Sequence, residues 1–307
     1  MTAGSTERVE FAPAKINLTL RILRKRPDGY HDLESLVVFA DAGDALRLDP
    51  DAPLGLEVDG PTAINAGPAG DNLVLKATRA LQAQIAGLRT GQFHLTKRIP
   101  VAAGLGGGSS DAAAALRLLA GLNDLPVEDR RVMGAARASG ADVPVCLDPR
   151  PRIMRGIGDV LSPPLRLPAL PAVLVNPGVP VPTANVFGAL AAARAGTVPA
   201  AGDDPASRCA EAGRPNVEDL LDALAASAND LEAPALSLFP AVGETLAALR
   251  QIATCRLARM SGSGGTCFGL FASMEEAKQA AAQLAQAQPD WWVQATELGA
   301  IERKVGQ

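Results

Sequence analysis

The chain predicts an α/β protein of the α+β sandwich type, divided into two domains, and three observations carry that prediction. At 307 residues with 48% hydrophobic content, it is long enough to bury more core than one typical domain holds. Strand-like alternation and helix-like 3.6-residue spacing both occur, mixed without the regular strand-helix repeat of a barrel. Proline and glycine density rises around "DPRPR" and "LSPPLRLPALPAVLVNPGVPVPT", which puts a boundary near Leu161 and predicts domains spanning 1–160 and 161–307.

Composition narrows the partners. The net charge of −4 comes from 29 basic and 33 acidic residues that are interspersed, with no basic run to neutralise a nucleic-acid backbone, so a small-molecule partner is expected. Apolar stretches such as "AAAALRLLAGL" fall short of the roughly 20 residues a membrane span needs. The N-terminal "MTAGSTERVEFAPAKINL" lacks a charged start followed by a long apolar core, so no secretory signal is read there. Cys146, Cys209, Cys255 and Cys267 form no C-x-x-C pair, which argues against structural zinc and predicts reduced thiols in the cytoplasm, each read as a small apolar residue.

Taken in order, "APAKINLTLRILRK" is an apolar, strand-like run carrying Lys15. That charge requires a carboxylate partner, a functional role, or a solvated edge position, and Asn17, two residues on, shares its face. A helical pattern covers Asn72 to Ile85. "GQFHLTKRI" alternates as a strand, where His94 between apolar neighbours reads as a satisfied core residue. "PVAAGLGGGSSDAAAALRLLAGL" then sets glycines between that strand and a helix starting near Ser110. "VEDRRVMGAARASG" reads as a helix closed by Gly140, and Asp142 in "SGADVP" as a turn or N-cap residue or a functional carboxylate.

Beyond the boundary, Ala172 to Val175 reads as a strand. The small, polar stretch from Ala195 to Asn216 reads as a surface insertion with no folded element of its own. "EDLLDALAASANDLEAPAL", "PAVGETLAALRQI" and "MEEAKQAAAQLAQA" read as helices around the strand-like "CRLARMSGSGGTCFGLFA", whose glycines form a tight hairpin or bring backbone close to a ligand.

Glycines at a strand-to-helix turn let backbone N–H groups converge, and the helix adds its partial positive end, a geometry suited to polyphosphate. Yet "GLGGGSSDA" has no lysine before its serines, so it is not a Walker A loop. It also ends in Ser109 where a dinucleotide fingerprint wants glycine or alanine. From loop shape alone, a structural turn and a phosphate cradle both remain open.

The run Pro100 to Ser110 resembles the phosphate loop of the GHMP small-molecule kinases, P-x-x-x-G-L-G-x-S-S, with one additional glycine. "PAKINL", "RPDGYHDLES", "DNLVLKA", "GLGGGSSDAAA", "GADVPVCL" and "MSGSGGTCF" follow in that family's order across most of the chain and resemble its branch acting on a cytidine diphosphate sugar alcohol. The resemblance implies an N-terminal ATP-binding domain, a C-terminal ferredoxin-like domain, and both ligands in the cleft between them. It implies ATP-dependent phosphorylation of the acceptor's 2-hydroxyl, in the non-mevalonate route to isoprenoid precursors. The rivals are a GHMP kinase acting on mevalonate, homoserine or a sugar, and a nucleotide-binding regulatory protein without catalysis.

By the same resemblance, ATP's phosphates lie along Pro100, Val101, Ala102, Ala103, Gly104, Leu105, Gly106, Gly107, Gly108, Ser109, Ser110 and Asp111, with Asn72, Leu73 and Lys97 toward the adenine. Lys15 and Asp142 are the implied catalytic pair. Tyr30 and Phe187 would sandwich the cytosine and His31 would meet its polar edge, with Asn17, Gly264 and Thr266 completing the acceptor side. Mg²⁺ is expected with ATP, with Ser110 a candidate ligand and no carboxylate ligand identifiable, so the ion is left mostly to nucleotide and water. A monomer or weak homodimer is expected. The chain departs from the family at "RPRIMRGIGDV", where an unusual Arg150-Pro151-Arg152 follows Asp142.

Overall fold

The structure is a computed structural model, and it describes residues 8–65, 67–194 and 203–301. In the N-terminal half the strands are β1 (Arg8–Asn17), β2 (Arg21–Lys25), β3 (His31–Asp49), β4 (Gly55–Asp59), β5 (Gln92–Thr96), β6 (Arg152–Gly156) and β7 (Val160–Leu161). Four helices belong with them: α1 (Leu73–Gln82), α2 (Gly107–Leu122), α3 (Arg130–Ser139) and α4 (Val143–Cys146). The remainder contributes β8 (Leu170–Asn176), β9 (Leu257–Met260), β10 (Cys267–Leu270) and β11 (Trp292–Gly299). Its helices are α5 (Thr183–Ala193), α6 (Pro205–Glu211), α7 (Val217–Ala225), α8 (Glu232–Leu238), α9 (Pro240–Arg250) and α10 (Met274–Ala287).

The strands join one sheet in the order β4-β5-β3-β11-β8-β10-β9, with β1, β2 and β6 also pairing β3, and β7 pairing β6. The sheet runs on past residue 160 because β11 pairs β8 from Trp292 to Leu298 and touches β3 through Leu298 and Gly299. Among the strand ladders of the described residues, β4 and β5 pair in parallel and the others are antiparallel, and an isolated parallel bridge joins Leu20 to Asn229.

The register of β1 against β3 slips between Pro13 and Lys15. Proline brings no N–H to a ladder, and the irregularity turns the Lys15 N–H out of it, to the Leu105 carbonyl at 2.8 Å. The first strand is thereby tied to the glycine loop by its own backbone.

Helix α2 is the central helix of the N-terminal half. Ala112 to Ala115 are fully buried, and their small side chains let the helix lie close against the sheet beside α1, α3 and α4. A second core joins Ile16, Leu36, Val38 and Phe268 across the middle of the sheet, and a third lies under α5, α8, α9 and α10.

Two expectations change. The segment expected as an unstructured insertion carries α6 in its second half, while its residues 195–202 lie outside the described residues. Asp204, 1% exposed, caps α6 through Ser207 N, Pro205 occupies its first turn, and Ala206, Ser207 and Ala210 are buried. The single helix read in "EDLLDALAASANDLEAPAL" is two, α7 and α8. Between them Leu20 N donates to Ala228 O and Asp230 N to Leu20 O, while Asn229 Nδ2 donates to the carbonyls of Met260 and Gly262. Those tertiary bonds outweigh one more helical turn.

The Arg-Pro-Arg departure is absorbed locally. Both Arg150 and Arg152 bond Asp148, and Arg152 also donates to the Ser162 carbonyl at 2.6 Å. His94 is half-buried with Nδ1 3.2 Å from Glu57, and the four cysteines are free, with Cys146 and Cys267 buried. Burial pushes the Cys146 thiol up to about 12, so it stays protonated and inert.

Candidate active site

The glycine loop runs from β5 into α2, and its backbone makes it both tight and open. Helix α2 starts after Gly106, which sits at φ +61° and offers no side-chain cap, so the first-turn N–H groups are left for an outside acceptor. Gly104 is at φ +74°, and a Cβ there would lie 2.5 Å from the Gly264 carbonyl and 2.7 Å from that of Ser261. The second glycine cluster is therefore packed against the first, backbone to backbone. On the other side, a Cβ on Gly106 would sit 3.2 Å from both Cβ and Cε of Lys15.

Lys15 is 4% exposed. Its ammonium lies 3.0 Å from Asp142 Oδ2 and donates to Asn17 Oδ1 at 3.2 Å. Asp142 occupies the N-cap position of α4, yet its side chain makes no cap hydrogen bond; the carboxylate is turned to Lys15 instead and keeps 37% side-chain exposure. A buried cation thus holds a carboxylate that solvent or a ligand still reaches.

Besides its contact with Lys15, Asn17 is held at two points. Its backbone N–H donates to Ser261 Oγ at 3.2 Å, its Nδ2 donates to Ser35 Oγ at 2.7 Å, and Ser261 Oγ in turn donates to the Gly104 carbonyl at 3.1 Å. Ser35 and Ser261 fall inside "RPDGYHDLES" and "MSGSGGTCF", yet nothing in those motifs marks them as partners of Asn17, because that role depends on which strands meet there.

Asn72 caps α1 by accepting from Val74 N at 2.9 Å, and Leu73 lies beside the loop, with Cδ1 3.4 Å from a Cβ placed on Gly108. Lys97, Ser110 and Asp111, expected to face the nucleotide, lie beneath the loop. Lys97 is 3% exposed and its ammonium bonds Asp44 and, at 2.8 Å, Asp111; Ser110 donates to the Pro13 carbonyl at 2.7 Å. Burial draws the Lys97 pKa down, but the charges of Asp111 and Asp44 outweigh it and the ammonium is held above its ordinary value. Burial lifts Asp111 to about 7 despite the pull of Lys97, with Asp44 adding to the rise, and one Asp111 oxygen has no partner.

On the acceptor side the structure brings His31 and Phe187 together, ring centroids 4.9 Å apart and tilted by 35°. Tyr30, one residue away, is 60% exposed. Burial and then Lys25 lower the His31 pKa, favouring its neutral ring. Gly264 lines the contact with Gly104, whereas Thr266 is fully buried and accepts from Asn176 Nδ2 at 3.0 Å. Among the described residues no three His, Cys, Asp or Glu side chains are grouped to hold a metal.

A glycine loop opening on an uncapped helix, beside a buried lysine paired with a reachable aspartate, defines a site for moving a phosphoryl group between small molecules. The family descriptions agree: GHMP kinases N terminal domain matches residues 72–148, and GHMP kinases C terminal matches residues 210–290. A 4-diphosphocytidyl-2-C-methyl-D-erythritol kinase from Methylobacterium radiotolerans is 60% identical over 288 residues, covering 94% of this chain and 97% of its own. A crystal structure of 4-(cytidine 5'-diphospho)-2C-methyl-D-erythritol kinase superposes with a TM-score of 0.72 at 34% identity, over 95% of this chain and all of that one. A crystal structure of L. major mevalonate kinase reaches a TM-score of 0.69 at 17% identity over 97% and 98% of the two chains, a likeness of fold alone. The chain belongs to the 4-diphosphocytidyl-2-C-methyl-D-erythritol kinase family of the GHMP kinases.

Proposed function

We propose that this chain transfers the γ-phosphoryl group of ATP to the 2-hydroxyl of 4-diphosphocytidyl-2-C-methyl-D-erythritol, a step toward isoprenoid precursors. The observation that carries the proposal is the 3.0 Å Lys15–Asp142 pair beside the glycine loop. In the transfer, the acceptor oxygen bonds to the γ-phosphorus, the bond from that phosphorus to the β–γ bridging oxygen breaks, and ADP leaves. The hydroxyl proton passes to Asp142, while the Lys15 ammonium, 3.0 Å from that carboxylate, offsets charge developing on the transferring group.

The loop amides and the N-terminus of α2 hold the triphosphate in line with the acceptor. Phe187, Tyr30 and His31 take the cytosine, the aromatic faces by stacking and His31 by its ring nitrogens. Lys97 and Asp111 serve the nucleotide from below, by fixing the loop. Mg²⁺ would come with ATP, held mostly by the phosphates and water, with Ser110 the candidate protein ligand, and would supply charge neutralisation on the phosphates; Ser110 Oγ donates its proton to the Pro13 carbonyl and keeps its lone pairs. We place the two functional halves at residues 1–160 and 161–307 and expect a cytoplasmic monomer or weak homodimer.

The test compares ATP turnover with the cytidine-containing acceptor, mevalonate and homoserine. Turnover confined to the cytidine compound is expected. Equal or greater activity on mevalonate sinks the assignment, and no transfer to any acceptor leaves a nucleotide-binding protein without catalysis.

A further inference from the structure

The hydrogen bonds behind Lys15 have a direction, and that direction singles out a residue with no exposed surface. Ser35 lies on β3, fully buried, with its Oγ 2.5 Å from the Thr19 carbonyl oxygen. A carbonyl only accepts, so the Ser35 proton is spent there. What Ser35 Oγ has left for Asn17 is a lone pair, and the Asn17 amide must therefore present its Nδ2, at 2.7 Å. The same amide then turns Oδ1 toward the Lys15 ammonium, at 3.2 Å.

Reversing the Asn17 amide would set an NH₂ group against an ammonium and a carbonyl against a hydroxyl with no proton to give. Both contacts would be repulsive in a buried setting where neither group has water as an alternative. Thr19 is itself pinned, since its Oγ1 accepts from Leu36 N at 3.2 Å and donates to the buried Asp204 carboxylate at 3.2 Å.

We propose that Ser35 is a positioning residue for phosphoryl transfer, locking the Asn17 amide in the orientation that gives Lys15 a second acceptor and so aims its ammonium at Asp142. The proposal rests on the kinase reading above. Removing the hydroxyl frees the amide to rotate and loosens Lys15, while the glycine loop that binds ATP keeps its own contacts.

The experiment measures kcat and both KM values for the wild type, Ser35→Ala and Ser35→Thr. Ser35→Ala is expected to lower kcat about tenfold or more with the KM for ATP unchanged to within about twofold, and Ser35→Thr, which restores the hydroxyl, to recover kcat to within about threefold. If Ser35→Ala does not fold, Ser35→Cys fills the same space with a much weaker hydrogen-bonding group and is held to the same outcome. The relay is wrong if the alanine or cysteine variant keeps kcat within about threefold, or if the threonine variant loses as much as the alanine. A wild type that transfers nothing sinks the kinase reading and this inference with it, whereas an active wild type indifferent to Ser35 sinks the inference alone.

Discussion

Lys15 Nζ lies 3.0 Å from Asp142 Oδ2, with the lysine side chain 5% exposed and the aspartate 37% exposed. On the proposed reading that asymmetry separates two roles: the cation is sealed in place, and the carboxylate keeps the exposure an acceptor hydroxyl would need. Asp142→Asn keeps the shape and removes the proton acceptor, so kcat should fall about a thousandfold while ATP binds within about threefold of wild type. Steady-state rates together with calorimetric ATP titration check this; loss of ATP binding in parallel would point to a collapsed loop instead.

The glycine loop offers a paired test of space against conformation. Gly104 and Gly178 have nearly the same φ, +74° and +75°, but a Cβ at Gly104 meets two backbone carbonyls and one at Gly178 meets nothing within 4 Å. Gly178→Ala should cost about 1 kcal/mol, the left-handed backbone penalty alone. Gly104→Ala should cost about 2 kcal/mol or more and raise the KM for ATP, because the two glycine clusters must part. Denaturant titration of both variants separates the terms.

Phe187→Ala and Tyr30→Ala should each raise the KM for the acceptor far more than the KM for ATP. Tyr30 is 60% exposed, so its loss should leave stability within about 0.5 kcal/mol. An unchanged acceptor KM in both variants would remove the stacking model.

The pH dependence of acceptor binding follows from His31. Its pKa is lowered below the ordinary value of 6.5, first by burial and then by Lys25, so the neutral ring prevails at pH 7. Acceptor KM should hold steady above pH 6.5 and rise as pH falls through the lowered value. His31→Gln should flatten that limb when KM is followed from pH 5 to 8.

Asp111 governs a different pH window. Burial raises its carboxyl from 3.8 to about 7, so between those values the folded chain holds a proton that the unfolded chain has lost. Its contribution to stability is full below pH 4 and is lost as pH rises through 7. Asp111→Asn should therefore gain stability relative to wild type on going from pH 5 to pH 8, measured by urea unfolding at each pH, with Lys97 still paired to Asp44.

Much of this was legible in the chain because it is local. The helix beginning beside Asn72, the strand at "QFHLT" and the glycine turn between that strand and a helix each depend on spacing within a few residues and are present, although α2 starts at Gly107, three residues before the Ser110 start the pattern suggested. Lys15 also announced itself, since a lysine in an apolar strand demands a partner. The misreadings came where distant contacts overrode local pattern. Asp204 buries itself under Thr19 and starts α6 inside what composition described as a loose insertion. Residues 228–230 give up helix to bond Leu20.

The sequence by itself determined the family, the order of its motifs and the residue types the chemistry needs, because motif chemistry is written in consecutive residues. Only the tertiary structure decided which of them face a ligand. Lys97, Ser110 and Asp111 sit within or beside the glycine motif yet point beneath it, while Ser35 and Ser261, outside it, hold Asn17. The reason is physical: spacing along a strand or helix sets which face a side chain takes, but whether that face meets solvent, a carboxylate or another strand depends on segments of other elements, from 18 residues away for Ser35 to 244 for Ser261.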